Sequence, residues 1–169
     1  MSSPDAAYWI KHLYLTQHIE GGWYNEVYRS SLSFQKAHLP SLFGDKRNSC
    51  THIYFLLERH GFSAFHRIKS DELWHFYAGD PLVVYEIEQS GTLTKHQLGN
   101  DMAKGQSLFT VIKAGNWFAS TVAADGEYSL VGCTVSPGFD FADFELAERK
   151  NLVNTYPHHA DLIDRLTRE

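Results

Sequence analysis

The sequence predicts an all-β fold, a sandwich or barrel of about nine antiparallel strands with short helices only at its two ends. Segments rich in aromatic and β-branched residues recur along most of the chain, which is typical of strands. Turn-forming residues separate these segments at close intervals, which favours antiparallel connections over helical crossovers. The 169 residues, 43% of them hydrophobic, are typical of a single domain.

The first predicted element is a short amphipathic helix. Ser3 to Asp5 provide an N-cap with proline at the first helical position. Apolar residues then recur on one helical face, namely Ala6, Trp9, Ile10 and Leu13. The glycine pair at 21–22 ends this pattern, and we interpret it as a turn.

The predicted strands follow this turn. They cover residues 23–29, 51–58, 62–68, 72–78, 82–88, 92–97, 106–112, 117–122 and 128–135. The polar stretch 31–49 is the one long connection, and we expect it to form a flap or an additional edge. After the strands, the segments 141–150 and 158–168 look helical, and the second has an apolar face of Leu162, Ile163 and Leu166.

We interpret residues 1–169 as one domain in three parts. These are an N-terminal helix with its lead-in (1–20), the barrel (21–137) and a C-terminal helical segment (138–169).

Charge and hydropathy exclude several classes of partner. Fifteen basic and twenty acidic residues give a net charge of −5, and the basic residues are scattered, so we expect no nucleic-acid partner. The apolar runs are too short to cross a bilayer, so we expect no membrane span. The first residues lack the features of a secretory signal, which predicts a cytoplasmic protein.

The cysteines and most histidines are given no chemical role. Cys50 and Cys133 lie far apart among apolar residues, so we expect buried free thiols. Histidines outside the strands are expected to be solvated, and these are His12, His18, His38, His158 and His159.

The stretch 66–79 is the most informative part of the sequence. Glu72, Trp74 and Phe76 share one face of a predicted strand, whereas His75 and Tyr77 share the other. A carboxylate on an inward, aromatic face carries a large desolvation cost unless it is paired or solvated. The sequence therefore predicts a polar cavity near Glu72.

The same stretch resembles the first motif of the cupin superfamily, which has the form G-x5-H-x-H-x3-4-E-x6-G. Gly61, His66, Glu72 and Gly79 match this motif, and Ile68 stands where the second histidine is usual. In the second cupin motif, whose core is P-x-G-x2-H, Phe118 replaces the histidine. Two of the four usual metal ligands therefore remain, so we expect no metal cofactor.

Three longer phrases resemble the cupin subfamily called DUF985 or cupin-5. They cover residues 20–30, 62–81 and 131–146. The resemblance implies a jelly-roll barrel, also called a double-stranded β-helix, related in shape to deoxysugar epimerases. It also implies a homodimer, for which the outward residues Phe65, His75 and Tyr77 supply apolar edges. The resemblance brings no settled reaction.

The first hypothesis for function is a metal-independent isomerase or epimerase acting on a sugar-like or other carbonyl ligand. His66 removes a proton next to the carbonyl, and Glu72 orients or stabilises the imidazole. Trp74, Phe76 and Phe118 form the walls of the ligand site. Tyr24, Tyr28 or Tyr54 donates from the opposite side, and Tyr24 is counted among the substrate-binding residues.

Two alternatives remain open at this stage. One is a metal-dependent cupin enzyme such as a dioxygenase, with His66 and Glu72 as the remaining ligands. The other is a non-catalytic metabolite-binding or structural dimeric module, in which His66 is a hydrogen-bonded core histidine and the aromatic residues are plain core.

Overall fold

A computed structural model describes residues 4–168 and confirms the all-β prediction. Thirteen strands are present in this part of the chain, several of them only two residues long. In chain order they are β1 (Thr16–Gln17), β2 (Trp23–Arg29), β3 (Ser33–Phe34), β4 (Arg47–Asn48), β5 (Thr51–Glu58), β6 (Phe62–Arg67), β7 (Asp71–Gly79), β8 (Leu82–Ile87), β9 (Leu93–Leu98), β10 (Phe109–Ile112), β11 (Trp117–Val122), β12 (Tyr128–Ser136) and β13 (Glu145–Leu146).

Two antiparallel sheets form the jelly roll. The six-stranded sheet has the order β1-β2-β5-β12-β7-β10, and the five-stranded sheet has the order β13-β6-β11-β8-β9. The long connection 31–49 contains a separate two-stranded ribbon of β3 and β4. Non-consecutive strands are neighbours in both sheets, so residues far apart in sequence meet inside the barrel.

The α-helices lie at the two ends of the described chain, as predicted. They are α1 (Ala6–His12), α2 (Arg149–Thr155) and α3 (Ala160–Arg165), and short 3₁₀ turns cover Lys36–His38, Met102–Lys104, Phe141–Asp143 and Pro157–His159. Asp5 is the N-cap of α1 and accepts a hydrogen bond from Tyr8 N at 2.8 Å. Ser3, which we included in the predicted cap, lies outside the described residues. No helix within residues 4–168 has the length and hydropathy needed to cross a membrane.

The segment 141–150 differs from its prediction as a helix. It contains a single 3₁₀ turn, Phe141–Asp143, followed by β13, and the helix begins only at Arg149. Leu146 pairs with His66 of β6, so pairing with the sheet overrides the local helical pattern.

The C-terminal helices cover one face that we expected to be exposed. Leu162, Ile163 and Leu166 pack with Phe65, which is fully buried. The prediction that Phe65 supplies an apolar edge for a partner is therefore wrong, because the chain's own helices occupy that face. His75 and Tyr77 do point away from the core, and the homodimer stays a prediction.

The core fills the space between the two sheets. Along β7 the side chains alternate as predicted, with Glu72, Trp74 and Phe76 buried. Phe55 of β5 and Phe118 of β11 both pack edge-on against Trp74. Glu72 is thus held on the inward face by the same strand that anchors the aromatic core.

Candidate functional site

A cavity of about 320 Å³ lies between the sheets. This volume is at the lower end of the range for small-molecule sites, roughly 300–1,000 Å³. Its lining is mostly apolar and aromatic, and it also contains a small set of polar side chains. The buried or half-buried polar members are His18, Glu20, Tyr24, Thr51, His66, Glu72 and Cys133, and exposed Glu26, Arg29 and Asp140 complete the lining.

His66 is fixed at one wall of this cavity by β6. Its Nδ1 donates to the carbonyl oxygen of Ala64 at 2.7 Å, and its Nε2 lies 3.2 Å from Oε2 of Glu20. A carbonyl can only accept, so Nδ1 carries a proton and Nε2 faces the carboxylate. Without a further proton the Nε2 lone pair faces the carboxylate oxygen, and a proton taken up at this position is held by both groups. The pair therefore provides one proton-binding position on the cavity wall.

Glu20 reaches this position through a glycine turn. Gly21 and Gly22 have φ values of 113° and 74°, a left-handed region that other residues rarely adopt. A Cβ on Gly21 would collide with the backbone oxygen of Phe62. The carboxylate then accepts a hydrogen bond from the Ser63 hydroxyl at 2.9 Å, and His18 Nδ1 lies 3.3 Å from it.

Burial and pairing shift the pKa values of Glu20 and His66. Burial raises the pKa of Glu20, but His66, His18 and Ser63 favour the carboxylate more strongly, so the net pKa is lowered. Burial lowers the pKa of His66, because an imidazolium loses hydration there, and Glu20 opposes this shift only in part. An imidazole with a lowered pKa is available as a base near neutral pH.

Glu72 has the opposite electrostatic behaviour. Burial, together with the charge of Glu20, raises its pKa to about 8, although the Cys133 thiol donates a hydrogen bond that opposes the shift. Burial and the Glu72 carboxylate raise the pKa of Cys133 as well. At neutral pH the cavity therefore contains an ionised carboxylate at Glu20 and a neutral carboxylic acid at Glu72.

The cavity contains four of the six residues predicted for the site. His66, Glu72, Trp74 and Tyr24 belong to the lining. The other two lie behind it, with the Phe118 ring 4.1 Å from the His66 ring and Phe76 in the adjoining core. Of the alternative tyrosines, Tyr28 is exposed and Tyr54 packs against Tyr77 on the outer face.

Three expectations require correction. The partner of His66 is Glu20 rather than Glu72, because the glycine turn brings Glu20 beside β6. His18 was expected in solvent, but its side chain is only 8% exposed and packs edge-on against Tyr24 at 4.5 Å. Cys133 is a buried free thiol as predicted, but it contacts Glu72, so it is part of the site.

Sequence reasoning missed Glu20 and His18 as site residues. The available signal was that Glu20 directly precedes two glycines. It is also the first residue of the stretch 20–30, which resembles the DUF985 family. A carboxylate next to such a turn is a candidate for placement by backbone geometry.

The donor set does not fit the usual cupin metal site. Ile68 and Phe118 occupy two of the expected imidazole positions. Within residues 4–168, no group of three or more His, Cys, Asp or Glu residues is arranged to hold a metal ion.

Comparison with protein-family models assigns the chain. The model of the cupin superfamily (DUF985) matches residues 7–147. The chain belongs to this cupin family. No curated protein matches it.

Solved structures support the same assignment for this cupin. A protein from Shewanella oneidensis is 43% identical over 98% of both chains, with a TM-score of 0.87. A hypothetical protein from Leishmania major is 36% identical, covering 98% of this cupin and 100% of that chain, with a TM-score of 0.91. Oxalate decarboxylase from Bacillus subtilis is 11% identical with a TM-score of 0.54, covering 89% of this cupin and 36% of that chain, so it shares the fold alone.

Proposed function

We propose that this cupin is a metal-independent isomerase or epimerase acting on a sugar or another small carbonyl compound. The His66–Glu20 pair is the base, and Glu72 is the acid that binds the carbonyl oxygen. The observation that carries the proposal is the contact of 3.2 Å between His66 Nε2 and Glu20 Oε2 at the wall of the cavity. Two ionisable centres whose pKa values are pushed apart are typical of acid–base catalysis.

The proposed step is removal of a proton from the carbon next to the carbonyl. The C–H bond breaks, its proton goes to the His66–Glu20 pair, and the electron pair moves onto the carbonyl oxygen. The neutral carboxyl of Glu72 donates a hydrogen bond to this oxygen as negative charge develops there. Protonation of the same carbon from the opposite face gives an epimer. In a substrate with a neighbouring hydroxyl group, transfer of the hydroxyl proton to the former carbonyl oxygen, together with return of the carbon-bound proton to the former carbonyl carbon, gives an isomer. The substrate needs no leaving group and no oxidant.

The direct test measures exchange of carbon-bound hydrogen with solvent. The protein is incubated in D₂O with a panel of aldoses, ketoses and 2-hydroxycyclohexanone, and ¹H NMR follows loss of the signal next to the carbonyl. We expect exchange with at least one compound, reduced about 100-fold or more in His66→Asn. His96→Asn is the matched control, since His96 also pairs with a buried glutamate, Glu86, but lies outside the cavity lining.

The exchange rate also has an expected pH profile. It falls as pH rises through about 8, because Glu72 then loses the proton that it donates. It falls again in acid, below the usual histidine range, because His66 becomes protonated and its pKa is lowered. Equal exchange in wild type and His66→Asn across the panel contradicts the proposal. Binding of a compound without exchange favours the non-catalytic metabolite-binding alternative.

A further inference from the structure

Three phenylalanines lie together along one side of the cavity. Phe139, Phe141 and Phe144 all belong to its lining, and their ring centroids are 5.1 to 6.3 Å apart. We call these three residues the phenyl cluster. Phe139 and Phe144 are half-buried, whereas Phe141 is 57% exposed. Because the exposed members of a cavity lining mark its opening, Phe141 presents free ring surface at the mouth of the cavity.

The mouth also carries charged side chains. They are Glu26, Arg29 and Asp140, the exposed charged residues of the lining. The Arg29 guanidinium donates to both carboxylate oxygens of Glu26, at 2.8 Å and 2.7 Å. Glu26, more strongly than Asp140, raises the pKa of Arg29, so this cation is committed mainly to Glu26.

Asp140 lies between two members of the phenyl cluster in sequence. Its Oδ1 accepts a hydrogen bond from Ala142 N at 2.9 Å, whereas its Oδ2 accepts none from residues 4–168. Asp140 is itself exposed. A carboxylate oxygen is therefore available to a ligand next to the exposed phenyl ring.

The whole lining has an excess of negative charge. Glu20 is ionised at the inner wall, and with Glu26 and Asp140 the described lining carries three carboxylates against one guanidinium. Glu72 adds no charge at neutral pH, because its pKa is raised to about 8. This balance favours a cationic ligand over an anionic one such as a phosphate ester.

We propose that the mouth of the cavity binds an organic ammonium group, which lies over the Phe141 ring and pairs with the Asp140 carboxylate. The face of an aromatic ring attracts a cation, and this is how proteins commonly recognise ammonium ligands. The inference rests on the proposed function, which places the carbonyl group of the same ligand at Glu72. It names the substrate class as amino-substituted carbonyl compounds, such as 2-amino sugars.

A bare metal ion is a poorer match for the same charges. Within the described part of the chain, no group of three or more His, Cys, Asp or Glu residues is placed to hold one. A hard cation such as Ca²⁺ takes about six to eight oxygen ligands. An ammonium group on carbon needs only one carboxylate and an aromatic face, and its organic part can occupy the apolar interior of the cavity.

The binding test compares two compounds of the same shape that differ in charge. Choline carries a trimethylammonium group, and 3,3-dimethylbutan-1-ol carries a tert-butyl group in its place. In NMR titrations, wild type should bind choline at least ~5-fold more tightly, since a cation over an aromatic face gains about 2- to 30-fold in affinity. Equal affinity for the two compounds, or no saturable binding of choline, overturns the proposal.

Two exposed positions test the ring and the carboxylate separately. Phe141→Leu keeps an apolar side chain but removes the ring, and Asp140→Asn removes the charge while its amide oxygen can still cap the same 3₁₀ turn. The preference for choline should fall at least about twofold in each variant. Phe109→Leu and Asp125→Asn are the matched controls, since both residues are exposed and lie outside the described lining. A wild-type preference in Phe141→Leu or in Asp140→Asn contradicts the proposal.

The substrate class is tested in the D₂O exchange assay. D-Glucosamine and D-glucose differ only at C2, where an ammonium group replaces a hydroxyl group at about pH 6.5. Exchange of the hydrogen on C2 should be faster with D-glucosamine, and this preference should fall in Asp140→Asn and persist in Asp125→Asn. Equal or faster exchange with D-glucose would show that the ligand is not an amino-substituted carbonyl compound.

The two proposals fail in different ways. A preference for choline that depends on Phe141 and Asp140, without exchange of any compound, supports the ammonium site and contradicts the isomerase. Exchange that depends on His66, without a preference for choline, supports the isomerase and contradicts the ammonium site.

Discussion

Two pairs of a buried glutamate with a histidine differ in what surrounds them in this cupin. In the cavity, Glu20 Oε2 lies 3.2 Å from His66 Nε2. Between β8 and β9, Glu86 Oε2 lies 2.7 Å from His96 Nε2. All four residues carry the same chemical groups, so any difference in role must come from their other neighbours.

Protein groups occupy the hydrogen-bonding atoms of the Glu86–His96 pair. Glu86 Oε1 accepts from the Asn116 side chain at 2.8 Å and from the backbone N–H of Lys113 at 3.1 Å, and the Thr110 hydroxyl lies 2.9 Å from His96 Nδ1. Burial raises the pKa of Glu86, but the hydrogen bond from His96, together with those from Asn116 and Lys113, outweighs burial, so the net pKa is lowered. Lys113 and Asn116 join the loop between β10 and β11 to the hairpin of β8 and β9, and Thr110 joins β10 to it, so the pair serves as a structural clamp.

The Glu20–His66 pair is fixed on one side and open on the other. Ser63 and Ala64 hold its two ends from within the protein, and both members also line the cavity. A second carboxyl group, Glu72, lies close enough to Glu20 for their charges to interact. Comparison of the pairs indicates that access to the cavity, and not the presence of a glutamate–histidine contact, distinguishes the candidate catalytic pair.

The largest expected effect is on the pH dependence of stability. Glu72 has a reference pKa of 4.5 and a folded-state pKa of about 8. The folded state holds its proton between these values while the unfolded chain releases it, so stability is lost as pH rises over this range. At 1.36 kcal/mol per unit, the loss reaches about 5 kcal/mol. In Glu72→Gln this loss should be absent when urea unfolding is measured from about pH 5 to about pH 8.5.

The Glu86–His96 pair provides a control in which stability changes with pH in the opposite direction. The pKa of Glu86 is lowered, so its contribution is present above 4.5 and is lost as pH falls through the folded-state value. Glu86→Gln should therefore lower the free energy of unfolding at neutral pH, by about 1–3 kcal/mol, and match wild type more closely in acid. The outcome that would contradict the Glu72 prediction is a free energy of unfolding that varies with pH in the same way in wild type and in Glu72→Gln. That result would show that Glu72 is ionised in the fold.

The next effect is on the exchange of carbon-bound substrate hydrogen with solvent, and it should distinguish the role of Glu20 from that of Glu86. Glu20→Gln removes the carboxylate that stabilises the imidazolium of His66, so exchange in D₂O should fall about 100-fold or more per folded molecule. Glu86→Gln should stay within about threefold of wild type, because its pair lies outside the cavity lining. The reverse result, with exchange lost in Glu86→Gln and kept in Glu20→Gln, would indicate that the pair between β8 and β9 is the catalytic one.

Sequence reasoning predicted the strands better than the site. The bounds of β2, β5 and β11 agree with their predictions residue for residue, because alternation and turn residues are local signals. The inward face of Glu72 followed from the same alternation. The contact between Glu20 and His66 did not, because it depends on how a glycine turn packs against a strand far along the chain.

The last expected effect concerns the glycine turn that positions Glu20. Glu86 lies within a regular strand, whereas Glu20 depends on Gly21, whose φ is 113°. Gly105 is the matched control, because its φ is 76° and an added Cβ would meet nothing within 4 Å. Gly105→Ala should lower the free energy of unfolding by about 1–2 kcal/mol, from backbone strain alone.

Gly21→Ala adds a collision with the backbone of Phe62 to the same kind of strain. We therefore expect about 1–3 kcal/mol beyond the cost in Gly105→Ala, measured by urea unfolding. Because the collision pushes the turn away from β6, the contact between Glu20 and His66 should lengthen and exchange in D₂O should slow, which Gly105→Ala should not cause. If both variants lose the same stability and keep wild-type exchange, the glycine turn only reverses the chain, and the position of Glu20 is set by Ser63 and His66 themselves.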